Sequence, residues 1–220
     1  MKRPRIEGYA VISKEGMIAT SDGHFPEGIK IPADHKFYQD SVDRASAVVN
    51  GRHSAEGGPK EHERRRIILT RRVDVLTPDP DNPNAILWNP ATAPFDEAWA
   101  KLGLDGGVAA VVGGTDTFGL FLTIGYDVFY LTKTEASVPR GRPVFPGVGR
   151  IATAEEAMTK AGLVHKGTRM LDASVNCRVE EWGRGVAETS QTAQTPPGPA
   201  QGGRTSADSA NSPGQGARKG

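Results

Sequence analysis

The chain has 220 residues, with 27 Lys and Arg balanced against 26 Asp and Glu for a net charge of +1, and 37% hydrophobic residues. That length allows one domain or one and a half, and the even charge argues against a general nucleic-acid binder, which carries a basic excess to neutralise phosphates. No apolar run approaches the roughly 20 residues needed to span a bilayer, and a single cysteine, Cys177, leaves neither an internal disulfide nor a Cys-based zinc site. The start, Met1-Lys2-Arg3-Pro4-Arg5, has the basic end of a secretory signal, but Ile6-Glu7-Gly8-Tyr9 follows in place of an apolar segment. A cytoplasmic protein is expected.

Gly8 to Ser13 is a short apolar run that reads as a buried strand. Lys14 to Lys30 reads as a long polar loop broken by Gly16, Gly23 and Gly28. Pro32 then takes a first helical position and Asp34 the first turn, where a negative charge suits the helix dipole, so a helix is expected to about Val42. Ala45–Asn50, Ile67–Thr70 and Ala85–Trp88 are the next strands. Pro94–Leu102 has helical spacing through Phe95, Trp99 and Leu102. Gly107–Val112 is a central strand ending in Gly113-Gly114, followed by a helix over Thr115–Leu122 and a strand over Asp127–Thr132. A helix over Thr153–Ala161 and two strands, Leu163–Leu171 and Ser174–Trp182, close the folded part, with Cys177 a small core residue. Residues 187–220 contain no Leu, Ile, Val, Met, Phe, Tyr or Trp and cannot bury enough apolar surface to offset the entropy of ordering them. The expected organisation is one domain over residues 1–186 and a disordered Gly/Pro/Ser-rich tail over 187–220. Strands alternating with helices and then two adjacent strands indicate an α/β fold: a mostly parallel central sheet with an antiparallel C-terminal hairpin, flanked by helices in three layers.

Chemistry collects at the strand ends. A strand that ends in Gly113-Gly114 and opens a helix lets backbone approach an anion and turns unpaired N–H groups toward it. Asn50-Gly51-Arg52-His53-Ser54 and Thr70-Arg71-Arg72 follow two other strands, and ligands of open α/β sheets bind beyond such carboxyl ends. Arginines there grip phosphate through paired, charge-assisted hydrogen bonds, which points to a phosphorylated nucleotide. Asp34, between Ile31-Pro32-Ala33 and Phe37-Tyr38, is either a helix-dipole residue or a carboxyl facing an apolar pocket and able to relay a proton. The five histidines show no metal-ligand spacing, and no metal is expected. Arg64-Arg65-Arg66 is flanked by Glu61 and Glu63 without interleaved aromatics, a poor nucleic-acid patch.

In this order the segments resemble the dihydrofolate-reductase-like superfamily. Ile31-Pro32-Ala33-Asp34 with Phe37-Tyr38 is similar to its L-P-x-D/E segment, and Asn50-Gly51-Arg52-His53-Ser54 to its M-G-R-x-T turn. Arg64 to Arg71 is similar to R-x-N-I-I-L-S/T-R, Val112-Gly113-Gly114 through Phe118 to the G-G turn and helix, and Tyr130-Leu131-Thr132 and Val144-Phe145-Pro146 to its Y-L-T and F-P. The resemblance implies an NADPH-dependent reductase transferring a hydride to a pteridine-like C=N bond, first of all that of 7,8-dihydrofolate. By position, Asp34 and Thr132 are then the catalytic pair. Gly51, Arg52, His53, Ser54, Thr70 and Arg71 hold the adenosine ribose phosphate side of NADPH; Gly113, Gly114, Thr115, Asp116 and Thr117 receive the pyrophosphate; Val11 and Ile18 line the nicotinamide. Ile31, Tyr38, Val112 and Phe118 contact the substrate, and Arg64 faces a folate carboxylate. The chain departs from the pattern in having no Trp before Asp34, a lengthened loop after Ile18, and Arg142-Pro143 where an acidic residue is usual. Ser13-Lys14-Glu15-Gly16-Met17-Ile18-Ala19 is closer to the S-x-D-G-x-I-A opening of the riboflavin-biosynthesis reductases, which act on a ribosylamino-pyrimidine. That substrate, or a non-catalytic nucleotide-binding role, is the alternative. A small-molecule pterin or pyrimidine partner, no nucleic acid, no membrane, and a monomer or homodimer follow from the same resemblance.

Overall fold

In chain order the strands and helices are β1 (Arg5–Ile12), β2 (Met17–Ala19), α1 (Pro32–Arg44), β3 (Ala47–Gly51), β4 (Arg66–Leu69), β5 (Thr77–Asp79), β6 (Asn82–Trp88), α2 (Phe95–Lys101), β7 (Val108–Gly113), α3 (Thr115–Ile124), β8 (Val128–Lys133), β9 (Arg142–Pro143), α4 (Ala154–Lys160), β10 (Leu163–Asp172) and β11 (Cys177–Arg184). This computed structural model describes residues 2–54 and 60–185, so the expected tail over 187–220 lies outside the described residues. Among the described residues no helix is long and apolar enough to cross a membrane.

The main sheet runs β10-β11-β8-β1-β7-β3-β4-β6-β5. From β8 to β6 every neighbouring pair is parallel, while β11 pairs antiparallel with β8 and β10, and β5 with β6. Parallel strands need crossover connections, which is why helices occupy both faces. From β1 the chain moves through α1 toward β3, whereas from β7 it moves through α3 in the opposite direction to β8. Right-handed crossovers of opposite sense put α1 and α3 on opposite faces and leave a crevice at the carboxyl ends of β1 and β7.

Side-chain alternation along the strands records these two faces. Val48 and Ala110 pack with Tyr9 and Val42 beneath α1. Val49, Ala109 and Val111 face the other way, onto Phe118, Phe121, Trp99 and Met158 of α3, α2 and α4. Phe121 is the hub of the second face: its ring lies 5.0 Å from that of Phe95, 6.2 Å from Trp88 and 6.1 Å from Tyr126. Each such pair adds about 0.5–1.5 kcal/mol beyond the area it buries. Beside it, the Phe129 ring packs where a Gly8 side chain would stand, so that a Cβ on Gly8 would lie 2.2 Å from Phe129 Cδ2.

Helix ends follow local chemistry. Pro32 starts α1 and Asp34 lies in its first turn, while α4 begins with a capping box in which Thr153 and Glu156 satisfy each other's backbone N–H groups. The expected polar loop over 14–30 is corrected in part: it contains β2 and a short 3₁₀ turn at Glu27–Ile29, with Met17 and Ile29 buried. The last strand starts at Cys177, later than expected, because Ala173–Val175 form a 3₁₀ turn and Asn176 takes a left-handed conformation. The short strands β5 and β9 carry no apolar alternation of their own and were not anticipated.

Gly8→Ala should destabilise the protein by about 1–3 kcal/mol through overpacking against Phe129, and Phe121→Ala by about 3–5 kcal/mol through the cavity it leaves. Urea unfolding midpoints check both; a Gly8→Ala midpoint equal to that of the parent would mean that the Phe129 ring is free to move aside.

Candidate active site

Two cavities open beyond the carboxyl ends of the parallel strands. The first, of about 700 Å³, is walled by Tyr9, Phe37, Tyr38, Tyr130, Val112 and Phe118 and contains Asp34. Its aromatic wall is ordered: the Tyr9 and Tyr130 rings stack at 5.2 Å, and Phe37 meets both edge-on at 6.1 and 5.6 Å. Such a surface suits the face of a planar ring.

Asp34 is only 9% exposed. Burial raises the pKa of its carboxyl above the usual carboxylate value, and the Thr132 hydroxyl, donating to it, partly offsets the rise. Thr132 is itself buried, on β8 opposite Val11 of β1. The Cys177 thiol is pushed up to about 11 by burial and by the charges of Asp34 and Asp172, which makes it an inert neighbour and not a nucleophile.

The second cavity, of about 770 Å³, has a different character: Arg52, His53, Thr70, Arg71, Arg72 and Arg142 line it together with Gly51 and Thr115, Asp116 and Thr117. The two share Ile18, Ala19, Gly23, His53, Ser54 and Gly114 at their rims. At that junction Gly113 has φ of +123°, a conformation that favours glycine, and is joined to Gly114 by a cis peptide bond. A side chain on Gly114 would bring its Cβ to 2.8 Å from Ser54 Oγ, and one on Gly51 to 3.1 Å from Thr117 Oγ1. Both glycines therefore hold the turn after β3 close to the start of α3. Behind the turn, the buried Arg66 donates from Nη1 to Asn50 Oδ1 at 2.8 Å and from Nη2 to the Glu61 carbonyl at 3.2 Å, and Asn50 donates to the Gly51 carbonyl at 3.0 Å.

No protein-family model and no curated protein matches the sequence. Solved structures do match. A diaminohydroxyphosphoribosylaminopyrimidine deaminase/5-amino-6-(5-phosphoribosylamino)uracil reductase from Thermotoga maritima superposes with a TM-score of 0.59 at 18% identity, over 83% of this chain and 57% of that one. Dihydrofolate reductase from Enterococcus faecalis, complexed with NADP(H) and RAB-propyl, gives 0.56 at 19% identity over 81% and 95% of the two chains. A protein assigned to riboflavin biosynthesis from Shewanella sp. PV-4 gives 0.57 at 14% identity over 83% and 99%. The chain has the dihydrofolate-reductase-like fold. It spans little more than half of the Thermotoga protein's length.

Within this dihydrofolate-reductase-like fold the expected residues fall into two sets. Val11, Ile18, Ile31, Asp34, Tyr38, Val112, Gly113, Phe118 and Thr132 line the aromatic cavity. Gly51, Arg52, Thr70, Arg71, Thr115, Asp116 and Thr117 line the basic one, and Ile18, His53, Ser54 and Gly114 belong to both. Arg71 is exposed and lies 3.7 Å from Asp116. Arg64 is the exception. It lines neither cavity; its Nη2 meets Asp43 Oδ1 at 2.5 Å and Gln39 Oε1 at 3.4 Å along α1. Sequence reasoning did not assign Tyr9, Phe25, Phe37 or Tyr130 to the site, although all four line the aromatic cavity, nor Arg142, which lines the basic one. Tyr9 was detectable as an aromatic two residues before Val11 on one face of a strand, whereas nothing local marks Phe25 or Arg142.

The raised pKa of Asp34 has a stability consequence. Below about pH 4 the carboxyl is protonated in the folded and unfolded chains alike and burial costs nothing. As pH rises through the ordinary carboxylate range toward the higher folded value, the charged form becomes a penalty on the folded state. Asp34→Asn should therefore raise the unfolding midpoint at pH 7, by a margin that shrinks as pH falls from the raised folded value toward about 4 and is lost below it. A margin that stays constant with pH would show that Asp34 is not held in a charge-disfavouring site.

Proposed function

We propose that the protein is an NADPH-dependent reductase that adds a hydride and a proton across a C=N bond of a pterin or related pyrimidine, with 7,8-dihydrofolate as the first substrate to consider. The observation that carries the reading is the meeting of a buried carboxyl in an aromatic cavity with an arginine-lined cavity across a shared glycine rim. The residues fit the cofactor: Gly51 and Gly114 leave no room for side chains beside Ser54 and Thr117, and the arginines supply the paired donors that phosphates need.

In this reading Arg52, Thr70 and Arg71 bind the adenosine ribose phosphate, and Gly114 with the start of α3 receives the pyrophosphate. Val11 and Ile18 bound the nicotinamide position, and Tyr9, Tyr38, Val112 and Phe118 hold the substrate ring against it while excluding water. When bound, NADPH supplies the hydride. Asp34 accepts hydrogen bonds from the polar edge of the ring and, because burial favours its protonated form, delivers or relays a proton to the ring nitrogen as the adjacent carbon is reduced. Thr132 keeps the carboxyl oriented. An NADPH-oxidation assay with dihydrofolate tests this: turnover is expected, and Asp34→Asn should lower it by about 10²–10⁴-fold with NADPH affinity nearly kept. Arg71→Ala should weaken NADPH more than NADH. Equal loss for both dinucleotides would remove the phosphate role of Arg71.

A ribosylamino-pyrimidine is the second reading, favoured by the pairing of Arg64 with Asp43 away from both cavities, which leaves a folate carboxylate without that reader. Arg64→Ala is expected to change the KM for dihydrofolate by less than about threefold. A rise of about tenfold or more would restore Arg64 as a carboxylate ligand.

A further inference from the structure

Arg142 belongs to neither the catalytic pair nor the strand-end arginines, yet it lines the basic cavity and packs against Gly23, a residue of the rim that the two cavities share. Its strand, β9, pairs with β2 through Ala19↔Arg142 and Met17↔Pro143. On the other side, Thr115 Oγ1 donates to the Pro143 carbonyl at 2.5 Å, so β9 is fastened to the first residue of α3, next to Gly114.

The guanidinium lies flat against Gly23. A Cβ built on Gly23 would be 2.9 Å from Arg142 Cζ, 2.9 Å from Nη1 and 3.0 Å from Nη2, and this near-equal spacing places the guanidinium face over the glycine. Arg142 Nε donates to the Ser21 carbonyl at 3.3 Å. Among the described residues no carboxylate pairs with Arg142, although it lines the basic cavity and is exposed. One N–H of a five-donor fork is engaged and the four on Nη1 and Nη2 remain available at an arginine-rich rim.

The segment that Arg142 touches is a self-contained turn. The Thr20 N–H donates to the His24 carbonyl at 2.9 Å, the Thr20 carbonyl accepts from the Gly23 N–H at 2.9 Å, Thr20 Oγ1 accepts from the His24 N–H at 3.0 Å, and Gly23 has φ of +95°. The next residue, Phe25, is 49% exposed and lines the aromatic cavity. A hydrogen-bonded turn held against a guanidinium thus carries an aromatic side chain to the ring pocket.

We propose that Arg142 binds the pyrophosphate of the dinucleotide beside Gly114 and Thr115 and, through Ser21 and Gly23, fixes the turn that holds Phe25 at the ring cavity. The proposal rests on the cofactor reading given above. Binding of the anion by Nη1 and Nη2 and anchoring of the turn by Nε and the guanidinium face use different parts of one planar group, so cofactor occupancy stiffens the turn. Arg142 is in this sense a cofactor-binding and positioning residue, and lysine, a point charge without the planar fork, replaces only the first role.

The test combines NADPH titration with amide hydrogen exchange over residues 20–25 in the full chain. In the parent protein, NADPH should slow exchange in this segment. Arg142→Ala should weaken NADPH by about tenfold, the scale of a lost charge-assisted contact, and abolish the slowing even at saturation. Arg142→Lys should recover part of the affinity but not the slowing. Unchanged NADPH affinity in Arg142→Ala would overturn the binding role, and slowing that persists in that variant would overturn the positioning role. Inorganic pyrophosphate is titrated in parallel. If the parent protein binds pyrophosphate in an Arg142-dependent way but not NADPH, the cofactor reading fails and the anion site stands; if it binds neither, both fail.

Discussion

Six neighbouring parallel strands, β8-β1-β7-β3-β4-β6, can be joined only by crossovers, and their handedness leaves one place where the chain departs in opposite directions. That place is between β1 and β7. Because all six strands point the same way, the residues that follow them are gathered along one edge, whatever their separation in sequence. The turn after β3, Thr70-Arg71 after β4, and Gly113-Gly114 after β7 become neighbours for this reason and for no local one. The small residues at the centre of the sheet, Gly8, Ala109 and Ala110, let both helical layers approach the strands closely.

The two cavities differ in electrostatics because the two faces and the edge differ in composition. Odd-numbered residues of β1 and even-numbered residues of β8 put Tyr9, Val11, Tyr130 and Thr132 on the α1 face, so a carboxyl in the first turn of α1 meets aromatic rings and a single hydroxyl donor in place of water. Its pKa rises for that reason. Arginines at the ends of β3 and β4, by contrast, emerge into solvent, where a guanidinium stays hydrated until an anion replaces the water. A planar ring on one side and a phosphorylated chain on the other is the ligand that such a pair of surfaces complements.

How much of this was legible in the sequence depends on range. Pro32 with Asp34, the apolar runs of β1, β3, β4 and β7, and the Gly113-Gly114 turn carry their signals within a few residues, and the α/β alternation followed from them. The pairing of β2 with β9 joins segments more than a hundred residues apart with three and two residues each. No periodicity survives in strands that short, so the loop over 14–30 read as unstructured and Arg142 as a departure without a role. Arg64 shows the converse: its sequence neighbourhood matched a familiar pattern, but Asp43 and Gln39, one helical turn apart on α1, offer it partners away from the cavities. A motif fixes where a residue sits along a strand, while its side chain goes to whichever charge the fold brings near.

The central claim is that one dinucleotide runs from the arginine-lined cavity across the glycine rim and meets a reducible ring beside Asp34. A crystal structure of the ternary complex with NADP⁺ and a diaminopteridine tests it most directly. The account predicts the phosphates among Arg52, Arg71 and the start of α3, the nicotinamide against Val11 and Ile18, and the pteridine hydrogen-bonded to the Asp34 carboxylate with its ring facing the nicotinamide. A dinucleotide bound elsewhere, or a pteridine seated away from Asp34, would contradict it.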